Sequence, residues 1–215
     1  VVHWPGMNQP ELVREIEDSL LGKADLVVVT SGALQKTRKD RTGKSLLLPH
    51  GVDARHFYRK GGSERPAVLR DVETPIIGFY GLLDHRLDLD LIKGRLNYRP
   101  RWNFVFIGNS LSPLDELKDF PNFHHIPAVA YRDLPEYAAA FDAAIIPYLV
   151  DRRTESINPL KLREYIATGK PVVSTPLPEP RALSPDVRVA DGIAAFIQAL
   201  EAGLAAPPQP GVRRR

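Results

Sequence analysis

No cysteine occurs in the 215 residues. A disulfide framework, a thiolate metal site and a cysteine nucleophile are all excluded. A reducing compartment agrees with that absence without being required by it. No apolar run reaches the ~18 residues a membrane-spanning helix needs, so no span is expected. No secretory leader is read at the start. The chain opens on Val1 and stops on Arg213, Arg214 and Arg215 after a proline-rich stretch, and both ends read as cuts or loose termini. Net charge is small as well: 29 Lys and Arg against 26 Asp and Glu leave +3. The excess is local, in Lys36 to Lys44 and in the terminal arginines. Such runs suit nucleic-acid or membrane surfaces, but a solvated helix end and a frayed tail account for them more simply, and no nucleic-acid partner is expected. A basic rim would also suit an enzyme that handles phosphates beside an acidic membrane.

What the chain does have is an ordinary globular composition, 43% hydrophobic and 26% charged, with enough length for one large domain or one and a half small ones. Apolar runs predict strands at Leu26 to Thr30, Ser45 to Pro49, Ile76 to Tyr80, Phe104 to Ile107, Phe123 to Ile126, Ala144 to Pro147, Val172 to Ser174 and Val187 to Val189. Several are continuous aliphatic runs, which belong to parallel strands covered on both faces. Helix signals fall between them. Leu12, Ile16 and Leu20 recur at four-residue spacing in Gln9 to Leu21; Leu134 to Phe141, Pro159 to Thr168 and Ile193 to Leu204 follow. This alternation predicts an α/β, doubly wound parallel sheet, which binds ligands outside the carboxyl ends of its strands. Residues 57–74 are rich in glycine and charge and lack periodicity, which marks a linker. The expected organisation is a partial unit over 1–56, the linker over 57–74, a complete doubly wound domain over 75–206 and a flexible tail over 207–215.

The segment with the most chemical content is Asn158 to Thr175, NPLKLREYIATGKPVVST. Asn158 is suited to cap a helix and Pro159 to its first position. Gly169 is placed to end it. The helix start then lies at the carboxyl end of a central strand, where its free N–H groups and positive dipole end suit a phosphate. Lys161 adds positive charge there. Glu164 shares a face with Leu160, and its carboxylate suits sugar hydroxyls; a surface glutamate in a helix salt bridge is the simpler alternative, and both stay open. Gly81 and Gly108 let the backbone approach a ligand, or merely serve tight turns.

Other motifs are set aside. Gly43-Lys44-Ser45 looks like the end of a phosphate-binding loop, but Arg38 stands where that loop needs glycine. Asp88 and Asp90 fit a helix start better than a metal pair. The histidines lack zinc-ligand spacing, and His124 and His125 face opposite sides of a strand.

Taken in order, these pieces resemble retaining GT-B glycosyltransferases of the large bacterial group, and most the branch of teichuronic-acid biosynthesis. Ala24 to Ser31 resembles the late strand of the N-terminal domain, and Leu48 to Phe57 (LPHGVDARHF) the interdomain segment. Ile76 to Ile92 (IIGFYGLLDHRLDLDLI) resembles the first strand and turn of the donor domain. Trp102 to Gly108, Leu134 to Tyr137 and Phe141 to Tyr148 complete the series with the Asn158 segment.

The resemblance implies a GT-B fold whose C-terminal domain binds a nucleoside diphosphate sugar. It implies transfer to a glycan or lipid-linked acceptor with retention and without a metal or other cofactor. By resemblance, Glu164 takes the ribose, and Ser156 stands where the family's first acid contacts the sugar. The helix start around Asn158, Pro159, Leu160 and Lys161 resembles the diphosphate cradle. Leu82 follows Gly81 where the family often has arginine, which leaves Arg86 as the nearest cation. His50 stands where asparagine is usual and is read as a hinge residue. The acceptor side would lie in the N-terminal domain that is mostly absent, so the chain alone is expected to turn over little. A cytoplasmic place, with peripheral association at the inner membrane face, goes with this reading. A non-catalytic nucleotide-sugar-binding or interaction module and a nucleotide-sugar epimerase of the same fold remain as alternatives.

Overall fold

A computed structural model describes residues 10–58, 64–111 and 114–206 of the chain. Among the described residues the order begins with α1 (Pro10–Lys23), β1 (Val27–Val29), α2 (Gly32–Thr42), β2 (Ser45–Leu47), the short α3 (Ala54–Phe57) and a 3-10 turn, Ala67–Leu69. It continues with β3 (Ile76–Tyr80), α4 (Leu89–Tyr98), β4 (Asn103–Ile107), α5 (Asp115–Lys118), β5 (Phe123–Ile126) and α6 (Leu134–Ala140). It ends with β6 (Ala143–Ile146), α7 (Leu160–Thr168), β7 (Val172–Ser174), α8 (Pro178–Ala182), β8 (Arg188–Val189) and α9 (Gly192–Ala205).

The larger sheet has six strands in the order β5-β4-β3-β6-β7-β8. Every pairing in it is parallel. All residues of β3 and of β6 are buried, as continuous apolar runs require when helices cover both faces. From β3 the chain steps outward through β4 to β5; it then returns to the other side of β3 and steps outward through β6, β7 and β8. The reversal between β3 and β6 opens a crevice at their carboxyl ends, the usual ligand position in such a sheet.

The smaller sheet pairs β1 with β2, also in parallel. Its Val28 and Leu46 are register partners, and both are about half exposed, as are Leu26 and Leu48 beside them. The helical period expected from Leu12, Ile16 and Leu20 is present in α1, yet all three side chains are exposed. The period is right, but no described element covers that stripe.

The stretch without periodicity after Asp53 is not featureless. Asp53 Oδ1 accepts the Arg55 and His56 amides at 3.0 and 3.1 Å, which starts α3. Phe57 and Leu69 are both buried in the core of the larger sheet. Residues 59–63 of the expected linker and the tail 207–215 lie outside the described residues.

One local expectation is corrected. Asn158 does not cap α7. The residue before the helix is Pro159, extended at φ −68° and ψ 114°, and no side chain caps it. The Asn158 side chain turns away, donating from Nδ2 to the Thr30 carbonyl at 2.6 Å. Gly169 does end the helix, at φ 74°, the left-handed conformation that glycine adopts without penalty.

Candidate functional site

Seven sequence-selected residues, Gly81, Arg86, Gly108, Pro159, Leu160, Lys161 and Glu164, lie about the crevice between β3 and β6. Gly81 and Gly108 follow β3 and β4 with φ of 134° and 145°. A methyl group on Gly108 would overlap the Gly81 carbonyl oxygen, so these turns lie side by side only because Gly108 has no side chain. The Lys161 side chain rests on Gly81: a Cβ there would stand 2.7 Å from Lys161 Cε and 2.9 Å from Nζ. Lys161 belongs to the first turn of α7, the helix that follows β6. Its ammonium donates to the Tyr148 hydroxyl at 2.6 Å. It sits 5.0 and 5.2 Å from the ring centres of Phe79 and Tyr148. Among the described residues no carboxylate forms an ion pair with it.

Arg86 approaches the same tyrosine, its guanidinium carbon 5.4 Å from the Tyr148 ring centre. Unlike Lys161 it is already compensated. Its Nε donates to both Asp84 oxygens at 2.8 and 3.0 Å, and Nη2 lies 2.8 Å from Oδ2. Burial alone would push the Asp84 carboxyl upward, but the Arg86 hydrogen bonds and charge outweigh it and hold it below its usual range. Among the described residues, Lys161 is therefore the cation of the crevice that forms no ion pair.

The amides of Leu160 and Lys161 begin α7 without a capping side chain, while Leu162 N already donates to the Pro159 carbonyl at 3.0 Å. These open donors and the positive end of the helix dipole add to the ammonium charge. Pro159 lacks an N–H and serves as the bend that aims them. Ser156 and Asn158 do not join this group. The Ser156 carbonyl accepts from Ser31 Oγ at 2.9 Å, and Asn158 reaches Thr30, so both face the β1–α2 unit.

Glu164 lies one turn further along α7 and is buried, at 4% exposure. The surface-glutamate alternative is thereby removed. Burial raises its carboxyl above the ordinary range; the Tyr80 hydroxyl, Lys161 and His56 pull in the other direction without overcoming it. Tyr80 ends β3, and its own hydroxyl is buried without a well-formed hydrogen bond. The Tyr80 amide donates to Tyr165 Oη at 2.8 Å, which ties α7 to the end of β3. Nearby, His56 of α3 stacks on Tyr131 at 4.9 Å between ring centres, with Nε2 3.2 Å from the Tyr131 carbonyl oxygen. A buried carboxylate, an incompletely bonded hydroxyl and a half-exposed aromatic pair make a surface suited to a polyol and a planar ring.

The arrangement thus separates two chemistries: a cationic, amide-lined corner at Gly81 and Lys161, and a carboxylate with aromatic neighbours at Glu164. A family model described as "Glycosyl transferases group 1" matches residues 74–206. The chain belongs to that family. The matched stretch contains the whole six-stranded sheet and both halves of the crevice.

Relatives agree with this placement. A protein of Bacillus subtilis, TuaH, described as a teichuronic acid biosynthesis glycosyltransferase, is 28% identical over 176 residues, covering 78% of this chain and 44% of TuaH. Sucrose-phosphate synthase from Thermosynechococcus elongatus superposes with a TM-score of 0.72 at 18% identity, over 95% of this chain and 56% of that one. HepE of Anabaena, in complex with UDP-glucose, gives 0.71 at 15% identity, over 94% and 59%. At such identities the superpositions establish the fold, and they do so for GT-B glycosyltransferases with the Rossmann-like sheet the sequence predicts. The chain spans less than half of its curated relative and somewhat more than half of these structures.

Tyr148, Tyr80, Tyr131 and His56 were not selected from the sequence. Tyr148 carried a usable signal, since it ends the run AAIIPY, Ala143 to Tyr148, where the carboxyl end of a strand must lie. His56 and Tyr131 are 75 residues apart and had none. Among the described residues no group of three or more His, Cys, Asp or Glu side chains is placed to hold a metal. None of the described helices is long and apolar enough to cross a membrane.

Proposed function

We propose that residues 75–206 are the donor-binding domain of a glycosyltransferase that moves a sugar from a nucleoside diphosphate sugar to a glycan or lipid-linked acceptor. The observation that carries this reading is the Lys161 ammonium. It is held over Gly81 at the reversal of strand order, with no carboxylate among the described residues ion-paired to it and beside uncapped helix amides. A diphosphate supplies the missing negative charge. As the glycosidic bond lengthens, charge grows on the leaving diphosphate, and donors already fixed at that point stabilise it. Glu164 receives the ribose hydroxyls. Arg86, held on Tyr148 by Asp84, shapes the corner rather than neutralising the ligand.

UDP is the first nucleotide to test, because HepE is described in complex with UDP and with UDP-glucose. No metal or cofactor enters this reading. Retention is the outcome the sequence resemblance implies, and the anomeric configuration of the product tests it. The acceptor, and any general base acting on it, are assigned to a fuller N-terminal lobe, of which residues 1–56 form part and to which 57–74 lead. The apolar face of α1 and the β1–β2 sheet, which no described element covers, supports that assignment. A cytoplasmic place at the inner membrane face goes with it.

Calorimetric titration of the chain with UDP, UDP-glucose and GDP tests the reading. Saturable binding at or below millimolar nucleotide, with sugar transfer slow or absent, is expected. No heat with any of the three at millimolar concentration would count against a donor site and favour a binding or interaction module.

A further inference from the structure

We infer that Asn158 is a positioning residue that ties the loop before α7 to the β1–α2 unit, so that nucleotide at the start of α7 and order at the start of α2 stabilise each other. This rests on the donor-site reading above. Three hydrogen bonds cross from one unit to the other within a few residues. Asn158 Nδ2 donates to the Thr30 carbonyl at 2.6 Å, Ser31 Oγ donates to the Ser156 carbonyl at 2.9 Å, and the Gly32 amide donates to Glu179 Oε1 at 2.9 Å. They fall on consecutive residues, Thr30, Ser31 and Gly32, at the junction of β1 and α2. Ser31 also caps α2, accepting the Leu34 amide on Oγ at 3.2 Å.

The two central residues are deeply enclosed. Ser31 is fully buried and Asn158 is 7% exposed. Asn158 Oδ1 is buried with no hydrogen-bond partner. A buried amide that leaves one atom unsatisfied costs free energy, and the side chain is held there by its Nδ2 bond to the other unit. The loop between is stiff enough to transmit the tie. Asp151 N donates to Thr154 Oγ1 at 2.9 Å, Thr154 N returns to Asp151 Oδ1 at 3.1 Å, and Ile157 N donates to the Thr154 carbonyl at 3.1 Å. From Asn158 only Pro159, with its fixed φ, separates this tie from the open amides of Leu160 and Lys161. Anything that fixes those amides fixes Asn158, and the effect is reciprocal.

Hydrogen–deuterium exchange on the chain, free and with saturating UDP or GDP, tests this. Binding should slow the amides of Leu160 to Leu162 directly, and slow those of Gly32 to Leu34 by about fivefold or more through the tie. In Asn158→Ala and in Ser31→Ala, the slowing at Leu160 to Leu162 should persist while that at Gly32 to Leu34 falls below about twofold. Glu179→Gln keeps the acceptor and should keep both effects. Slowing at Gly32 to Leu34 that survives in both alanine variants would overturn the inference. So would its absence in the unmodified chain when Leu160 to Leu162 do respond. No response at Leu160 to Leu162 with either nucleotide would instead overturn the donor site itself.

Discussion

Replacing Lys161 by methionine removes the charge and keeps most of the stem that lies on Gly81. In the free chain the loss comprises the Tyr148 hydrogen bond, the contacts with the Phe79 and Tyr148 rings and the attraction to the Glu164 carboxyl. A net hydrogen bond contributes about 1 kcal/mol and an exposed cation–π contact about 0.5–1 kcal/mol. Together these come to about 2–3 kcal/mol, which for a chain of this size lowers Tm by about 4–12 °C. The nucleotide-bound state loses more. A hydrogen bond to a charged group contributes about 1.5–3 kcal/mol, which is roughly a 10- to 150-fold rise in Kd. The Coulomb attraction between unit charges about 4 Å apart at an effective dielectric near 20 is about 4 kcal/mol, so this range does not overreach. Titration calorimetry with UDP at two salt concentrations, paired with a thermal melt, separates the two effects. Lys161→Met should weaken UDP at least tenfold, bind with a shallower salt dependence, and melt within about 12 °C of the parent. A Kd within threefold of the parent would refute the assignment of the diphosphate to this corner.

Three further outcomes are expected. Glu164 has a carboxyl raised by burial, so the folded chain holds its proton more tightly than the unfolded chain does. Its contribution to stability is full below the unfolded value and is lost as pH rises through the folded one. Glu164→Gln should therefore gain Tm relative to the parent as pH rises from 4 to 8, while weakening nucleotide binding; a Tm difference independent of pH would contradict the burial argument. Gly108→Ala should destabilise by about 2–6 kcal/mol, from backbone strain at φ 145° plus overlap with the Gly81 carbonyl, and a denaturant midpoint equal to the parent's would contradict that contact. Arg95 is fully buried on α4 with Nε and Nη2 unpartnered, its guanidinium 3.6 Å from the Phe196 ring centre and its pKa pushed down to about 9 by burial. Arg95→Met should raise stability at pH 7 by about 1 kcal/mol or more, because a buried cation without a full set of partners is costly; a fall of that size in urea unfolding would show that the ring contact dominates.

The larger sheet was legible because β3, β4, β6 and β7 rest on continuous apolar runs closed by a glycine, proline or polar turn, whereas β5 and β8 carry His124, His125 and Arg188. β3, β4, β5 and β7 lie at the expected positions to within one residue, and β6 is shifted by one residue toward its start. Parallel pairing followed from burial on both faces. The strand order was not legible, since it depends on which crossover returns to which edge of β3. Candidate residues supplied by one segment, such as Lys161 and Glu164, could be picked out from α7 alone. Asn158 was misread for a physical reason: asparagine before a proline fits a helix cap by local rules, and only the packed fold offers the Thr30 carbonyl as a better acceptor. The stripe on α1 revealed the helix but not what covers it, because period reports helix geometry and says nothing of what lies opposite. Tyr148 and the His56–Tyr131 stack depend on long-range packing that periodicity does not encode.

The assignment of the diphosphate to the α7 corner is tested most directly by a crystal structure of the chain with UDP. The diphosphate should lie within about 3 Å of Lys161 Nζ and of the Leu160 or Lys161 amide, with the ribose against Glu164. Diphosphate density elsewhere, for instance between Arg181 and Arg188 in the groove beside β8, with the Lys161–Tyr148 bond undisturbed, would contradict it.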